Sequence, residues 1–123
     1  MNPRAEPDNP ARPPPGLRLC ALSDLANPGS KGFRFRHDHY LFAGFVVRQG
    51  AEVRGYVDSC PHNGWPLSVM DDRYLTANGE RIICGAHGAV FRPLDGVCVA
   101  GPCADDRLVA WPVALAGEDV VTA

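Results

Sequence analysis

Apolar residues along this chain come in short runs divided by turn residues. From Leu17 onward, Leu17–Leu22, Phe33–Arg36, Tyr40–Arg48, Val53–Asp58, Arg81–Cys84, Ala89–Arg92, Val97–Val99, Leu108–Leu115 and Asp119–Thr122 each read as a strand. Between several of them, Gln49-Gly50, Asn78-Gly79, Asp95-Gly96 and Ala116-Gly117 place glycine where a tight reversal needs a positive φ. Short runs with frequent reversals predict an antiparallel all-β domain. Helical pattern is scarce: Ser23-Asp24-Leu25 predicts a single turn, closed by Asn27-Pro28-Gly29. No internal repeat is visible.

The first sixteen residues follow a different rule. Met1–Gly16 contain six of the twelve prolines and no β-branched or aromatic residue, which predicts a disordered or polyproline-like tail and leaves one domain over 17–123. A chain of 123 residues suits a single core. Twelve Lys and Arg against fourteen Asp and Glu give a net charge of −2 with no basic stripe, so nucleic acid is not an expected partner. The longest apolar stretches, Leu41–Val47 and Leu108–Leu115, fall well short of the roughly 18 residues that span a bilayer. With no apolar signal core at the start, the expected location is cytoplasmic, with no membrane partner. Five cysteines, an odd number, argue against a disulfide framework and for thiols or metal ligation.

Two segments carry the chemistry: Cys60-Pro61-His62-Asn63-Gly64 and Cys84-Gly85-Ala86-His87-Gly88. Each supplies one thiolate and one imidazole, and two such pairs complete a four-ligand set for iron or zinc. Structural zinc sites close on one ion with two or more residues between paired ligands, so the Cys-x-His pair suits a two-iron site better. Gly64, Gly85 and Gly88 would let the backbone come close and aim N–H groups at sulfur. A zinc-bound structural module with the same ligands remains the competing reading.

These segments resemble the Rieske pattern, CxH followed by CxxH. The similarity continues through Ala89-Val90-Phe91, Asp95-Gly96 and Gly101-Pro102, and in weaker form covers Leu17 to Thr122. The resemblance implies an antiparallel Rieske-type β-sandwich with a small cluster-binding subdomain of two hairpin loops. It implies one [2Fe–2S] cluster per chain, with Cys60 and Cys84 on the inner iron and His62 and His87 on the outer. Replacing two thiolates by neutral imidazoles removes negative charge and makes reduction easier. The implied function is that of a soluble one-electron carrier between protein redox partners, from a reductase to a terminal oxidoreductase such as an oxygenase. Such a component is not itself an enzyme and has no small-molecule substrate of its own. The alternatives are a small or accessory subunit of a larger oxidoreductase, as in nitrite reductases, and an oxidant-sensing subunit.

Twenty-one residues, Asn63–Ile83, separate the two ligand segments, more than the family usually has. The excess is assigned to Met70–Asn78 as a polar excursion that shapes a partner surface. Trp65 and Ala86 stand where high-potential members carry an extra disulfide, and Ala89 and Phe91 stand where those members carry serine and tyrosine hydroxyls. Fewer hydrogen bonds to sulfur place the expected potential low in the Rieske range, near about −150 mV.

The remaining candidates read more plainly. Cys98 and Cys103 are expected as free thiols in a hairpin, and Cys20 as a small packed residue. His37 and His39 predict a solvated turn, and Trp111 a core residue. Trp65 either shields the cluster or packs at the base of its segment. The pairs Asp71-Asp72 and Asp105-Asp106 could steer a basic redox partner.

Overall fold

The longest apolar run builds a strand that is buried on both faces. In the computed structural model, which describes residues 9–59, 67, 73–84, 88–101 and 106–123, that strand is β3 (Tyr40–Gln49). It pairs antiparallel with β2 (Gly29–His37) on one side and β4 (Glu52–Val57) on the other. A second sheet has the order β1–β9–β8, formed by Arg18–Ala21, Asp119–Thr122 and Val113–Ala116. The third has the order β5–β6–β7, formed by Ile82–Ile83, Val90–Phe91 and Cys98–Ala100. Every strand pairing is antiparallel. The one helical turn among the described residues, Leu22–Asp24, is closed at its start by Ala21 N–H donating to the Asp24 carboxylate at 2.9 Å.

Strand periodicity sorts β3 and β4 between two cores. Phe42, Val46, Val53 and Val57 face one core with Cys20, Leu25, Trp111 and Val120; this is the interior of the sandwich. Trp111 is at its centre, 1% exposed, with edge-on contacts to Phe33, Phe35 and Phe42 at ring separations of 5.2–6.2 Å. Gly44 makes room for it, because a Cβ there would strike the indole ring. Phe45, Val47 and Tyr56 face the other core, together with Leu67, Tyr74, Ile82, Cys84, Ala89, Phe91, Cys98 and Leu108. The second core joins the sandwich to the segments that carry the candidate ligands.

The all-β antiparallel expectation therefore holds, with four differences in detail. β2 starts at Gly29 rather than Phe33, since its ladder with β3 runs on from Gly29 opposite Arg48. The run Leu108–Leu115 divides at Pro112, which has no N–H to give a ladder. Only Val113 onward joins β8, while Leu108–Trp111 lies along β4 and the β6–β7 hairpin, through Leu108 N–H to Gly96 O, Val57 N–H to Val109 O and Trp111 N–H to Gly55 O, each 2.9 Å.

The third difference is in the stretch between the ligand segments. Met70, Asp71 and Asp72 lie outside the described residues, but 73–83 form a hairpin, with Thr76 N–H to Arg81 O at 2.8 Å and Ile83 N–H to Tyr74 O at 2.9 Å. Tyr74 is not part of a polar excursion; it is buried and stacked flat on Phe45, ring centroids 4.2 Å apart. The fourth is the proline-rich tail. Residues 1–8 are outside the described set, but from Asn9 the chain is tied to the domain. Ala11 is buried, Asn9 Nδ2 donates to Leu41 O at 3.0 Å, and the Thr122 hydroxyl donates to Pro14 O at 2.7 Å. Proline content alone does not prevent docking, because a polyproline-like stretch keeps its carbonyls free to accept.

Candidate metal centre

The second ligand segment begins on a residue of the second core, Cys84, and Leu67, three residues after the first segment, belongs to the same core. Of the four sequence-predicted ligands, Cys84 is described; Cys60, His62 and His87 lie outside the described residues. Cys84 follows β5, is 0% exposed and is a free thiol. Its N–H donates to Ala89 O at 2.8 Å, and its carbonyl accepts from Gly88 N–H at 2.9 Å. These two bonds close the backbone at residues 84 and 88–89, so the interval 85–87, which includes His87, hangs from fixed ends. Gly88 is at φ +71°, the left-handed region that favours glycine.

The first segment is anchored by a residue that sequence reasoning missed. Asp58 directly follows β4 and is 2% exposed. Its carboxylate accepts the Leu67 N–H at 2.8 Å through Oδ1 and the Tyr74 hydroxyl at 3.0 Å through Oδ2. Leu67 is fully buried in the core that also holds Cys84 and Ala89. A polar residue just past a strand gave no signal for this, because its partners are nine and sixteen residues further along the chain.

A third stretch approaches the second. Gly101, at φ +93°, lies so close to it that a Cβ would be 2.7 Å from Ala89 Cα and 3.2 Å from Gly88 O. Residues 102–105, including Pro102, Cys103 and Asp105, are outside the described set. The flanks of that interval are joined by Cys98 N–H to Asp106 O at 2.8 Å and by the Val97–Arg107 bridge.

Cys98 corrects an expectation. It is disulfide-bonded rather than a free thiol, with its partner outside the described residues. The odd cysteine total pointed to thiols, yet an odd total leaves room for one bridge beside a cluster. Cys20 is as expected: it is buried, and burial, followed by the nearby Asp24, pushes its thiol up, away from the reactive thiolate form. His37 and His39 are exposed at the β2–β3 turn, where Asp38 has φ +53°. Ala89 and Phe91, the two positions without hydroxyls, are both fully buried. Trp65, Ala86, Asp71 and Asp72 are outside the described set.

The β6–β7 hairpin is held onto β4 by a buried phenol. Tyr56 Oη donates to Pro93 O at 2.7 Å. Burial pushes the Tyr56 hydroxyl up to about 12, with Asp95 adding to the rise and Arg54 opposing it, so the donor keeps its proton at neutral pH.

Among the described residues no three metal-ligating side chains converge, as expected when three of the four candidates lie outside that set. Also among them, no helix is long and apolar enough to cross a membrane.

The described residues form an antiparallel β-sandwich that carries a buried free cysteine on a hydrogen-bonded glycine turn. The model of the Rieske [2Fe-2S] domain matches residues 17–115, and the chain belongs to that family. The family's domain carries a [2Fe–2S] cluster. Known structures with the same fold include the ferredoxin of carbazole 1,9a-dioxygenase from Nocardioides aromaticivorans IC177, 24% identical, with a TM-score of 0.67 over 87% of this chain and 95% of that one. A chain in a complex of reduced oxygenase and oxidized ferredoxin in carbazole 1,9a-dioxygenase is 25% identical, with a TM-score of 0.65 over 87% and 91%. The ferredoxin of Sphingomonas yanoikuyae B1 is 23% identical, with a TM-score of 0.61 over 86% and 95%. None of the curated proteins matches the chain in sequence.

Cys84 suits the cluster. A fully buried cysteine without a disulfide partner, on a turn whose closing bonds use backbone groups only, has its sulfur free for ligation.

Proposed function

We propose that Cys60, His62, Cys84 and His87 hold the [2Fe–2S] cluster, one per chain, and that the protein passes single electrons from a reductase to a terminal oxidoreductase, an oxygenase in the first instance. The observation that supports this most is the shared core: Leu67 after the first ligand pair, and Cys84 and Ala89 around the second, belong to one buried cluster. When bound, the cluster supplies a site that takes up and releases one electron. The chain's own part is to hold the ligand segments at fixed ends and to keep the Cys84 side dry. In this reading the protein is an electron-transfer component that binds proteins, as a ferredoxin binds an oxygenase in the related complex, and it takes no small-molecule substrate of its own.

With no hydroxyl at Ala89 or Phe91, the potential belongs at the low end of the Rieske range, near about −150 mV. The cytoplasmic location stays part of the reading. The Cys98 disulfide fits it as a bond shielded by burial, because reducing compartments keep accessible thiols reduced.

The test is electron paramagnetic resonance of the dithionite-reduced protein with metal analysis of the same sample. A signal from a cluster with mixed cysteine and histidine ligation, and two irons per chain, supports the assignment. A silent spectrum with one zinc per chain overturns the electron-transfer reading. A potential well above zero overturns the low-potential part alone.

A further inference from the structure

Asp58 does more than follow a strand. A buried carboxylate is costly unless its oxygens are hydrogen-bonded, so a fold that keeps one has arranged partners for it. Here both partners come from the stretch between the two ligand pairs. Asp58 is fixed to β3 by its own N–H, which donates to Ala43 O at 2.9 Å. Its Oδ1 takes the Leu67 N–H at 2.8 Å, and residues 59–66, which include Cys60 and His62, lie between those two points in the chain. Its Oδ2 takes the Tyr74 hydroxyl at 3.0 Å. Tyr74 is in turn held by the Phe45 ring, 3° from parallel, and by its N–H to the Ser30 hydroxyl at 3.2 Å. Phe45 and Ala43 both belong to β3, so the Asp58 backbone and, through Tyr74, its Oδ2 both lead back to the strand between the two cores.

We infer that Asp58 is a positioning residue for the cluster: one carboxylate pins the start and the end of the first ligand segment and ties both to the tyrosine of the following hairpin. This rests on the ligand assignment above. A ligand pair on a segment pinned at both ends keeps its spacing when metal is absent or its charge changes, and loses that spacing when the pin is removed.

The test uses the full chain as isolated, with Asp58→Ala, Asp58→Asn and Tyr74→Phe. Asparagine keeps an acceptor for Leu67 N–H and reverses the second contact, its amide N–H donating to the Tyr74 oxygen, so both pairings can form without the charge. Alanine removes both and leaves a buried amide without its partner. Asp58→Ala is expected to lose iron to a chelator about tenfold faster than wild type or more, with Asp58→Asn within about twofold and Tyr74→Phe between them. Exchange of the Leu67 amide follows the same order, and Asp58→Asn moves the potential upward because a negative charge near the site is gone.

Equal iron release and equal Leu67 exchange in Asp58→Ala and wild type would overturn the inference. So would an Asp58→Asn variant as impaired as Asp58→Ala. If Asp58→Ala does not fold, Tyr74→Phe against Asp58→Asn decides in the same way. A wild-type protein with no [2Fe–2S] iron would fail the ligand assignment instead, and the order of Leu67 exchange rates would still judge the clamp.

Discussion

Gly101→Ala should damage the protein more than its small size suggests, for two separable reasons. The backbone at Gly101 has φ +93°, which costs a residue with a Cβ about 1–2 kcal/mol. The new methyl would also be 2.7 Å from Ala89 Cα, 3.2 Å from Ala89 N and 3.2 Å from Gly88 O. All three are backbone atoms, so no side-chain rotation relieves the contact, and overpacking of this kind adds about 1–3 kcal/mol. The sum, roughly 2–5 kcal/mol, corresponds to a fall of about 10–20 °C in melting temperature for a domain of this size. Gly117→Ala is the control. It has φ +63° and nothing within 4 Å of the added methyl, so it carries the backbone cost alone. Thermal and urea denaturation of the two variants measure the difference, and iron release reports whether the damage reaches the second ligand segment. If Gly101→Ala proves as stable as Gly117→Ala, the close approach of the third stretch to residues 88–89 is not what holds it.

Three further outcomes are expected. The Tyr56 hydroxyl, raised to about 12 in the fold from an unfolded value of 10.0, keeps its proton in the folded state while the unfolded chain loses its own. The associated stability is therefore complete below pH 10 and lost as pH rises toward 12, and urea titrations at pH 9 and 11 should show wild type losing about 1 kcal/mol more than Tyr56→Phe. If Cys60 is a ligand and Cys20 and Cys84 are free, Cys103 is the remaining partner for Cys98. A non-reducing peptide map should show Cys98 joined to Cys103, and a bridge to Cys60 would refute the ligand set. If His62 and His87 ligate iron through neutral imidazoles, their outer nitrogens lose protons at alkaline pH more readily in the oxidised state. The potential should then fall there by about 59 mV per pH unit for each proton coupled to the electron, and a flat profile would refute imidazole ligation.

The strands were legible in the sequence because short β-branched and aromatic runs sat between glycine turns. The two-core arrangement was not. Leu41–Val47 reads as one apolar run, and a run without alternation does not say that Phe42 and Val46 serve one interior while Phe45 and Val47 serve another. Pro112 was a visible breaker, yet the apolar pattern around it carried the expected strand straight through. The ligand pairs were readable because their chemistry is local: two residue types at fixed spacing on glycine-flanked segments. What holds those segments was not local. Asp58 meets Leu67 and Tyr74 only after β4 and the following hairpin have been placed on β3, and no sequence window contains that geometry. The disulfide of Cys98 escaped for a related reason, since cysteine parity bears on the whole chain and not on a pair.

The anchoring pattern bears directly on electron transfer. A carrier changes charge by one unit at each event, and any relaxation that follows adds to the barrier. Here the described flanks of the two ligand segments are fixed by bonds among buried groups, Asp58 to Leu67 and Cys84 to Ala89, and the third stretch is closed at its base by Cys98 N–H to Asp106 O near Gly101. Moving one of these ends means breaking a buried hydrogen bond, which costs about 1–3 kcal/mol for each group left unpaired. Each of the three bonds has a partner in the second core, Leu67, Cys84 with Ala89, and Cys98, so a displacement of one segment would have to disturb close-packed side chains behind it. The sandwich thus limits how far the ligands can follow the charge, and a small domain gains a rigid site from a strand buried on both sides.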